Sequence, residues 1–290
     1  MKTFDDVPEF DLILVDAMNL VSRMHYALNS LSYRGKPTGM QYGVMKQAFN
    51  FRSRYGRAKI LFLWEGMVSK RKSLNADYKA NREAKKEEFH KLVRELRLML
   101  NKGGFDSVYH TGLEADDLAG YYVAKEKEKG KILLVSNDKD WLQYLEKNRV
   151  YVQRKAEVET YEELEKEFGF PPNRINLWKI IKGDKVDNIK GIKGFREDAA
   201  KVLVNHCETL DDLKKFPLAK HDPRWYKWET AIKANWKLIL DNNGLITYNP
   251  SWINKKEIVW IGGAKDYSTL RHMFIMKGMQ ELVFKLKGMK

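Results

Sequence analysis

Leu12-Ile13-Leu14-Val15, Ile60-Leu61-Phe62-Leu63-Trp64 and Ile132-Leu133-Leu134-Val135 are unbroken apolar runs of strand length. Runs this short, with no polar residue inside them, predict strands buried on both faces, as in a parallel sheet covered by helices. Each is followed by an acid: Asp16 after the first run, Glu65 after the second and Asp138 a few residues after the third. Asp16 alone reads equally well as the N-cap of the next helix. In open α/β sheets, ligands bind beyond the carboxyl ends of the parallel strands, so three acids at three strand ends are expected to share one crevice.

Helical patterns fill the intervals. Residues 23–55 predict one or two helices around a turn at Arg34-Gly35-Lys36-Pro37-Thr38-Gly39, and Leu92, Val93, Leu96 and Leu100 form a later apolar stripe. Glu114-Ala115-Asp116-Asp117 opens a helix whose apolar positions include Leu118, Tyr121, Tyr122 and Val123. Thr160-Tyr161-Glu162-Glu163 has capping-box spacing for a short helix ending at Gly169 before Pro171-Pro172. A domain boundary is placed there, giving a core at 1–168 and a second region at 169–290. Residues 173–182 are helical by pattern and lead into Gly183-Asp184-Lys185-Val186-Asp187-Asn188-Ile189-Lys190-Gly191-Ile192-Lys193-Gly194. Trp225, Trp228 and Trp236 lie at roughly helical spacing and are expected in a core rather than as base-stacking platforms.

Composition narrows the partner. With 290 residues, 43% hydrophobic and 32% charged, the chain is an ordinary globular protein of one large or two modest domains. A net charge of +14 favours a polyanion, either nucleic acid or an anionic membrane surface. No run approaches the ~18 apolar residues of a membrane span, and Met1-Lys2-Thr3-Phe4-Asp5-Asp6 lacks signal-peptide character. Nucleic acid is therefore preferred over membrane, with the cytoplasm as the expected compartment. The single cysteine, Cys207, excludes an intramolecular disulfide and argues against a thiolate zinc site, so a metal would be held by oxygen.

Acids bunch as Glu114, Asp116 and Asp117, as Asp138 and Asp140, and as Asp184 and Asp187. Like charges this close raise one another's pKa unless a cation sits among them, which points to divalent metal. Residues 70–102 carry eleven Lys or Arg against five Asp or Glu, including Lys70-Arg71-Lys72. A charged helix face is usually just solvated, but here it follows an active-site strand, and Tyr78 is placed to stack on a base while Lys79 and Arg82 take phosphates. Arg23, one turn into the first helix on the Asp16 side, is a further phosphate candidate. Around Lys190, Gly191, Lys193 and Gly194 the two close glycines in a basic setting suggest backbone N–H groups approaching a DNA phosphate.

Taken in order, Asp16 with Arg23, Tyr78-Lys79-x-x-Arg82, Glu114-Ala-Asp116-Asp117, Asp138-x-Asp140 and Gly183-Asp184-x-x-Asp187-Asn188-Ile189 resemble the flap endonuclease and 5′-3′ exonuclease family, most closely its stand-alone phage-type members. The resemblance covers residues 11–205. It implies an α/β fold with a mainly parallel central sheet flanked by helices, a helical arch at about 66–104, and a helix-three-turn-helix that grips duplex DNA. It also implies Mg2+ or Mn2+, with one ion among Asp16, Glu65, Glu114, Asp116 and Asp138 and a second near Asp140, Asp184 and Asp187; Asp117 acts through water or from behind. Lys79 and Arg82 would stabilise the scissile phosphate.

Two positions depart from the family pattern. Glu65 stands where Asp is usual, one methylene longer yet still able to ligate a hard cation. Gly194-Phe195-Arg196-Glu197-Asp198 replaces a Gly-x-Gly-x-Lys turn, losing the second glycine and the lysine.

The implied activity is two-metal hydrolysis of phosphodiesters in DNA with 5′ flaps, nicks or ends, with RNA–DNA hybrid as a further substrate class, by a monomer. The resemblance also narrows the compartment to the cytoplasm of a bacterial or phage-infected cell. Residues 251–290 are read as packing or as a docking segment for a replication protein. The rivals are a branched-DNA-binding module that has lost catalysis, a metal-dependent RNase with a related sheet, and an unrelated phosphotransferase. The first should lack acids that are present here, the second lacks a DNA-gripping region, and the third lacks a nucleotide-binding loop.

Overall fold

The computed structural model describes residues 8–66, 69–82, 86–125, 130–154 and 157–287. Apolar alternation sets the two faces of the sheet. In β1 (Leu12–Asp16), Leu12 and Leu14 pack into one core and Ile13 and Val15 into the other, so every residue of the strand is buried.

Helix α1 (Ala17–Ala27) follows directly, capped by Asp16. A hairpin of β2 (Ser32–Tyr33) and β3 (Lys36–Pro37) then turns through Arg34 and Gly35, both with positive φ, before α2 (Gly39–Arg54). β4 (Lys59–Trp64) is the second expected strand. Beyond it come α3 (Lys70–Leu74), α4 (Glu87–Lys102), β5 (Asp106–His110) and α5 (Ala115–Lys125), then β6 (Ile132–Val135), β7 (Val150–Arg154) and β8 (Glu157–Glu159). The expected arch range includes 67–68 and 83–85, which lie outside the described residues.

α6 (Tyr161–Phe168) starts at the Thr160 capping box and ends at Gly169 in the left-handed conformation. α7 (Ile175–Lys182), the two-residue strands β9 (Gly183–Asp184) and β10 (Ile189–Lys190), and α8 (Glu197–His206) form a helix–hairpin–helix unit. α9 (Leu210–Lys215), α10 (Tyr226–Ala234) and α11 (Trp236–Ile246) complete that side. The chain then returns to the sheet as β11 (Ile258–Ile261) and closes with α12 (Tyr267–Met276) and α13 (Gln280–Leu286).

The seven-stranded sheet runs β11-β5-β4-β1-β6-β7-β8, parallel among its five inner strands and antiparallel at both edges. This is the expected α/β class. β1 lies at the centre with β4 and β6 on its two sides, so the ends carrying Asp16, Glu65 and Asp138 are neighbours. α5 and helices α6–α11 cover the face built on Leu12 and Leu14, while α1, α2, α4, α12 and α13 cover the face built on Ile13 and Val15. Trp225, Trp228 and Trp236 pack against the first core, as expected. Among the described residues, no helix is long and apolar enough to cross a membrane.

Candidate active site

The end of β1 gives Asp16 two jobs at once. Its Oδ1 accepts from the Asn19 backbone N–H at 3.0 Å, which caps α1, and its Oδ2 accepts from the buried Ser136 hydroxyl at 2.7 Å. Burial outweighs both bonds and pushes its carboxyl up to about 6. Ser136 Oγ also accepts from the Asp138 backbone N–H at 3.0 Å, so one serine sets the strand ends carrying both acids.

Glu65 follows β4 and faces the cleft, with the Ala115 N–H 3.4 Å from its Oε2. Desolvation by the protein crowding it from behind, and then repulsion from Glu114, push it up to about 8. Gly66 is required next: a Cβ there would sit 2.2 Å from the His110 carbonyl oxygen, because the turn presses against the end of β5.

At the start of α5, Glu114 lies under Lys79, whose Nζ is 2.7 Å from Glu114 Oε2 and 3.9 Å from Asp187 Oδ2. Burial alone would raise Glu114, but Lys79 and then Arg71 outweigh it and hold the carboxyl below its ordinary range. Asp116 is raised well above its ordinary value by desolvation, only partly relieved by Arg71. The Lys79 ammonium interacts electrostatically with Asp16, Glu65, Glu114 and Asp116 together, and it is the cation at the centre of this group.

The turn that carries Lys79 is fixed by the 183–190 hairpin. Lys79 has φ +55 and donates its backbone N–H to the Asp187 carbonyl at 3.0 Å. Asn81 and Asn188 exchange side chain to backbone bonds across the same junction, at 3.1 Å to Lys185 O and 2.9 Å to Asp77 O. Arg82 reaches Asp187 Oδ1 at 2.5 Å.

A second group forms where β6, α7 and the hairpin meet. Asp140, Asp184 and Asp187 each offer a carboxylate oxygen within 4.8 Å of the others. Lys179 on α7 bridges two of them, contacting Asp140 and lying 2.7 Å from Asp184 Oδ2. Desolvation and Asp138 push Asp140 up to about 6, while Lys179 overcomes burial at Asp184 and holds it low. Beside these acids opens a cavity of 630 Å3, with Phe168, Phe170 and Trp178 on one wall and Arg82, Lys139 and Lys201 among its cations.

Two sequence expectations, for Arg71 and Tyr78, need correction. Arg71 is no phosphate contact: it is 1% exposed and holds Asp117 through two hydrogen bonds of 2.6 and 2.8 Å. Asp117, expected to act through water or from behind, has both its oxygens held by Arg71, and the Glu114 N–H, 3.2 Å away, donates to one of them. Tyr78 is 2% exposed and cannot stack on a base; its hydroxyl lies 3.1 Å from Glu114 Oε2 and 3.3 Å from Asp187 Oδ2.

The remaining candidates lie further out. Lys70 and Lys72 are exposed on α3, with the Lys70 ammonium over the Trp252 ring. Lys190, Lys193 and Gly194 are exposed on the 183–196 segment, whereas Gly191 is a packing glycine: a Cβ there would lie 2.2 Å from the Lys182 carbonyl. Arg23 is half-buried and senses Asp16. Sequence reasoning missed Lys179, Ser136 and Ser69, whose hydroxyl donates to Glu114 Oε1 at 2.8 Å. The one available signal was a lysine set in the apolar stretch of α7, ahead of Asp184.

Residues 11–169 match the family model for the 5′-3′ exonuclease N-terminal resolvase-like domain. The chain belongs to the 5′-3′ exonuclease family. It is 29% identical over 223 residues to a 5′-3′ exonuclease of Aquifex aeolicus, covering 73% of this chain and 77% of that one. A 5′-3′ exonuclease of Mycoplasmopsis pulmonis is 34% identical over 146 residues, 49% of each chain. In structure, family membership agrees with a TM-score of 0.67 to the bacteriophage T5 D15 protein crystallised with metal ions, at 20% identity over 81% of this chain and 89% of that one. The catalytic core of Rad2 in complex with a DNA substrate gives 0.62 at 14% identity, over 96% and 93% of the two chains. This member is therefore a nuclease built on a mainly parallel central sheet flanked by helices.

Proposed function

We infer that this family member is a structure-specific 5′ nuclease that hydrolyses phosphodiesters in DNA with 5′ flaps, nicks or ends, using two divalent cations. The observation that carries the reading is the convergence of eight carboxylates from the strand ends, α5 and the 183–190 hairpin on two partly buried lysine ammoniums. Hard oxygen donors with little else among them suit Mg2+ or Mn2+. Each group already accommodates a positive charge, which is the electrostatic condition a cation must meet.

Asp16, Glu65, Glu114, Asp116 and Asp138 would hold one ion, and Asp140, Asp184 and Asp187 the other. Bound there, the ions supply Lewis acidity and charge neutralisation for phosphodiester hydrolysis. The protein's own groups do the rest. Ser136 and the Asn19 N–H orient Asp16. Tyr78 and Ser69 fix Glu114, so its oxygens keep one direction whether or not Lys79 is bound to them. Lys79 and Arg82, now paired with Glu114 and Asp187, are the cations that transfer to phosphate oxygens when substrate enters. Lys190 and Lys193, exposed on the helix–hairpin–helix unit, supply sequence-independent attraction for duplex.

The test is incubation with end-labelled 5′-flap, nicked and blunt duplexes and an RNA–DNA hybrid, in Mg2+, Mn2+ or EDTA. Metal-dependent release of short 5′ products from flap or nicked DNA is expected. Retained binding without cleavage in either metal would assign the chain to the non-catalytic branched-DNA binders instead.

A further inference from the structure

Arg71, on α3, contacts two parts of the molecule that are distant from it in sequence. From α3 its guanidinium holds Asp117 by two bonds and also lies 3.6 Å from Asp116 Oδ2 and 3.7 Å from Glu114 Oε2. In the opposite direction its Nε–H donates to the Leu245 carbonyl at 2.7 Å. Leu245 lies in the last turn of α11, where helix carbonyls lack an intrahelical partner, so this bond also closes the C-terminal end of that helix. A guanidinium can do all of this at once because its five N–H groups diverge in a fixed plane; an ammonium cannot.

One turn back on α11, Asn242 is 3% exposed and its amide donates twice, to Ile180 O at 3.0 Å and to Lys190 O at 2.8 Å. Those carbonyls belong to α7, which carries Lys179, and to β10, which carries the exposed Lys190 and pairs with β9, the strand of Asp184. α11 is thus pinned at one residue to the hairpin and at another, through Arg71, to the acids of α5.

We propose that Arg71 is a positioning residue through which α11 braces the α5 acids against the helix–hairpin–helix unit, so that the unit gripping the duplex and the acids cutting it are held in one register. The inference rests on the nuclease reading above.

The test uses the full chain with Arg71→Lys, Asn242→Ala and the double variant, read by single-turnover cleavage of a 5′-flap duplex, flap affinity, and Mn2+ binding by electron paramagnetic resonance without DNA. Arg71→Lys should lower both cleavage rate and Mn2+ affinity by about 10- to 100-fold, as expected when the partner behind a ligand is lost, with flap affinity within about threefold. Asn242→Ala touches no acid, yet should lower the same two quantities by about three- to tenfold. The double variant should fall no further than Arg71→Lys alone, since both act through one brace.

Additive losses, or unchanged Mn2+ affinity in Asn242→Ala, would overturn the brace. Circular dichroism melts identify a variant that fails to fold, and if Arg71→Lys does so, the Mn2+ affinity of Asn242→Ala decides alone. Absence of cleavage by the wild type is a different failure, that of the nuclease reading.

Discussion

Lys179 Nζ lies 2.7 Å from Asp184 Oδ2 and also contacts Asp140, so a lysine that no motif marks neutralises the second acid group. In the metal-free protein its removal leaves desolvated carboxylates facing one another. Lys179→Met should therefore lower stability in EDTA by roughly 1–3 kcal/mol, the discounted cost of breaking a partly buried pair. Because the vacated charge is then supplied by metal, saturating Mn2+ should raise its Tm by more than that of the wild type. Paired thermal melts with and without Mn2+ check this, and an equal shift in both proteins would mean that Lys179 and the cation do not share a position.

Asp138 is set by Ser136, and among the described residues its hydrogen bonds leave one carboxylate oxygen beyond the 3.0 Å bond from the Asp140 N–H. Asp138→Asn keeps the shape and removes the charge. Losing several kcal/mol of charge stabilisation corresponds to roughly 10³-fold slower cleavage, while flap binding should change by less than about threefold. A gel-shift titration beside a cleavage time course separates the two, and wild-type cleavage rates would remove Asp138 from the site.

Lys79 sits among four acids with φ +55, a backbone conformation unfavourable for a side-chain-bearing residue and one that the surrounding bonds maintain. A residue held this way for chemistry should act on the reaction more than on binding. Lys79→Ala is expected to lower the single-turnover rate by about 10²–10³-fold with a much smaller loss of affinity. Equal losses in both would make Lys79 a plain phosphate contact.

Asp266 caps α12 by accepting from the Thr269 N–H at 3.0 Å and is paired with Lys102; that backbone bond first, then the Thr269 side chain and Lys102, hold its carboxyl down to about 2. Its folded value lies below the unfolded one, so on acidification the unfolded chain takes up the proton first. The stabilisation is present above about pH 4 and is lost as pH falls toward 2. Asp266→Ala should accordingly melt below wild type by a constant margin from pH 5 to 8, and the margin should close under acid. Melting curves across that range test it, and a margin that widens in acid would refute the assignment.

The strand-end acids were legible because the signal is local: an apolar run followed by Asp or Glu needs no knowledge of the rest of the chain. β5 carries no such run, because Asp106-Ser107-Val108-Tyr109-His110 buries a serine and a histidine among its apolar residues. Lys70-Arg71-Lys72 reads as three equivalent surface cations, and α3 is too short for periodicity to show which one turns inward; only the packing of α5 and α11 around Arg71 decides it. Lys179 was hidden for the same reason, since its role exists only once α7 docks at the ends of the strands.

β11 has a consequence for how the chain is made. It seals the outer edge of β5 by antiparallel pairing of residues 258–261 with 107–110, a contact between segments far apart in sequence and therefore slow to find. During synthesis from the N-terminus, β5 can emerge and join β4 while its outer backbone groups still have no strand to pair with. Until β11 arrives, that open edge is a template for other chains. The Asp106 carboxylate on β5 itself and prompt return of the C-terminal segment are the features expected to limit edge-to-edge association at the ribosome.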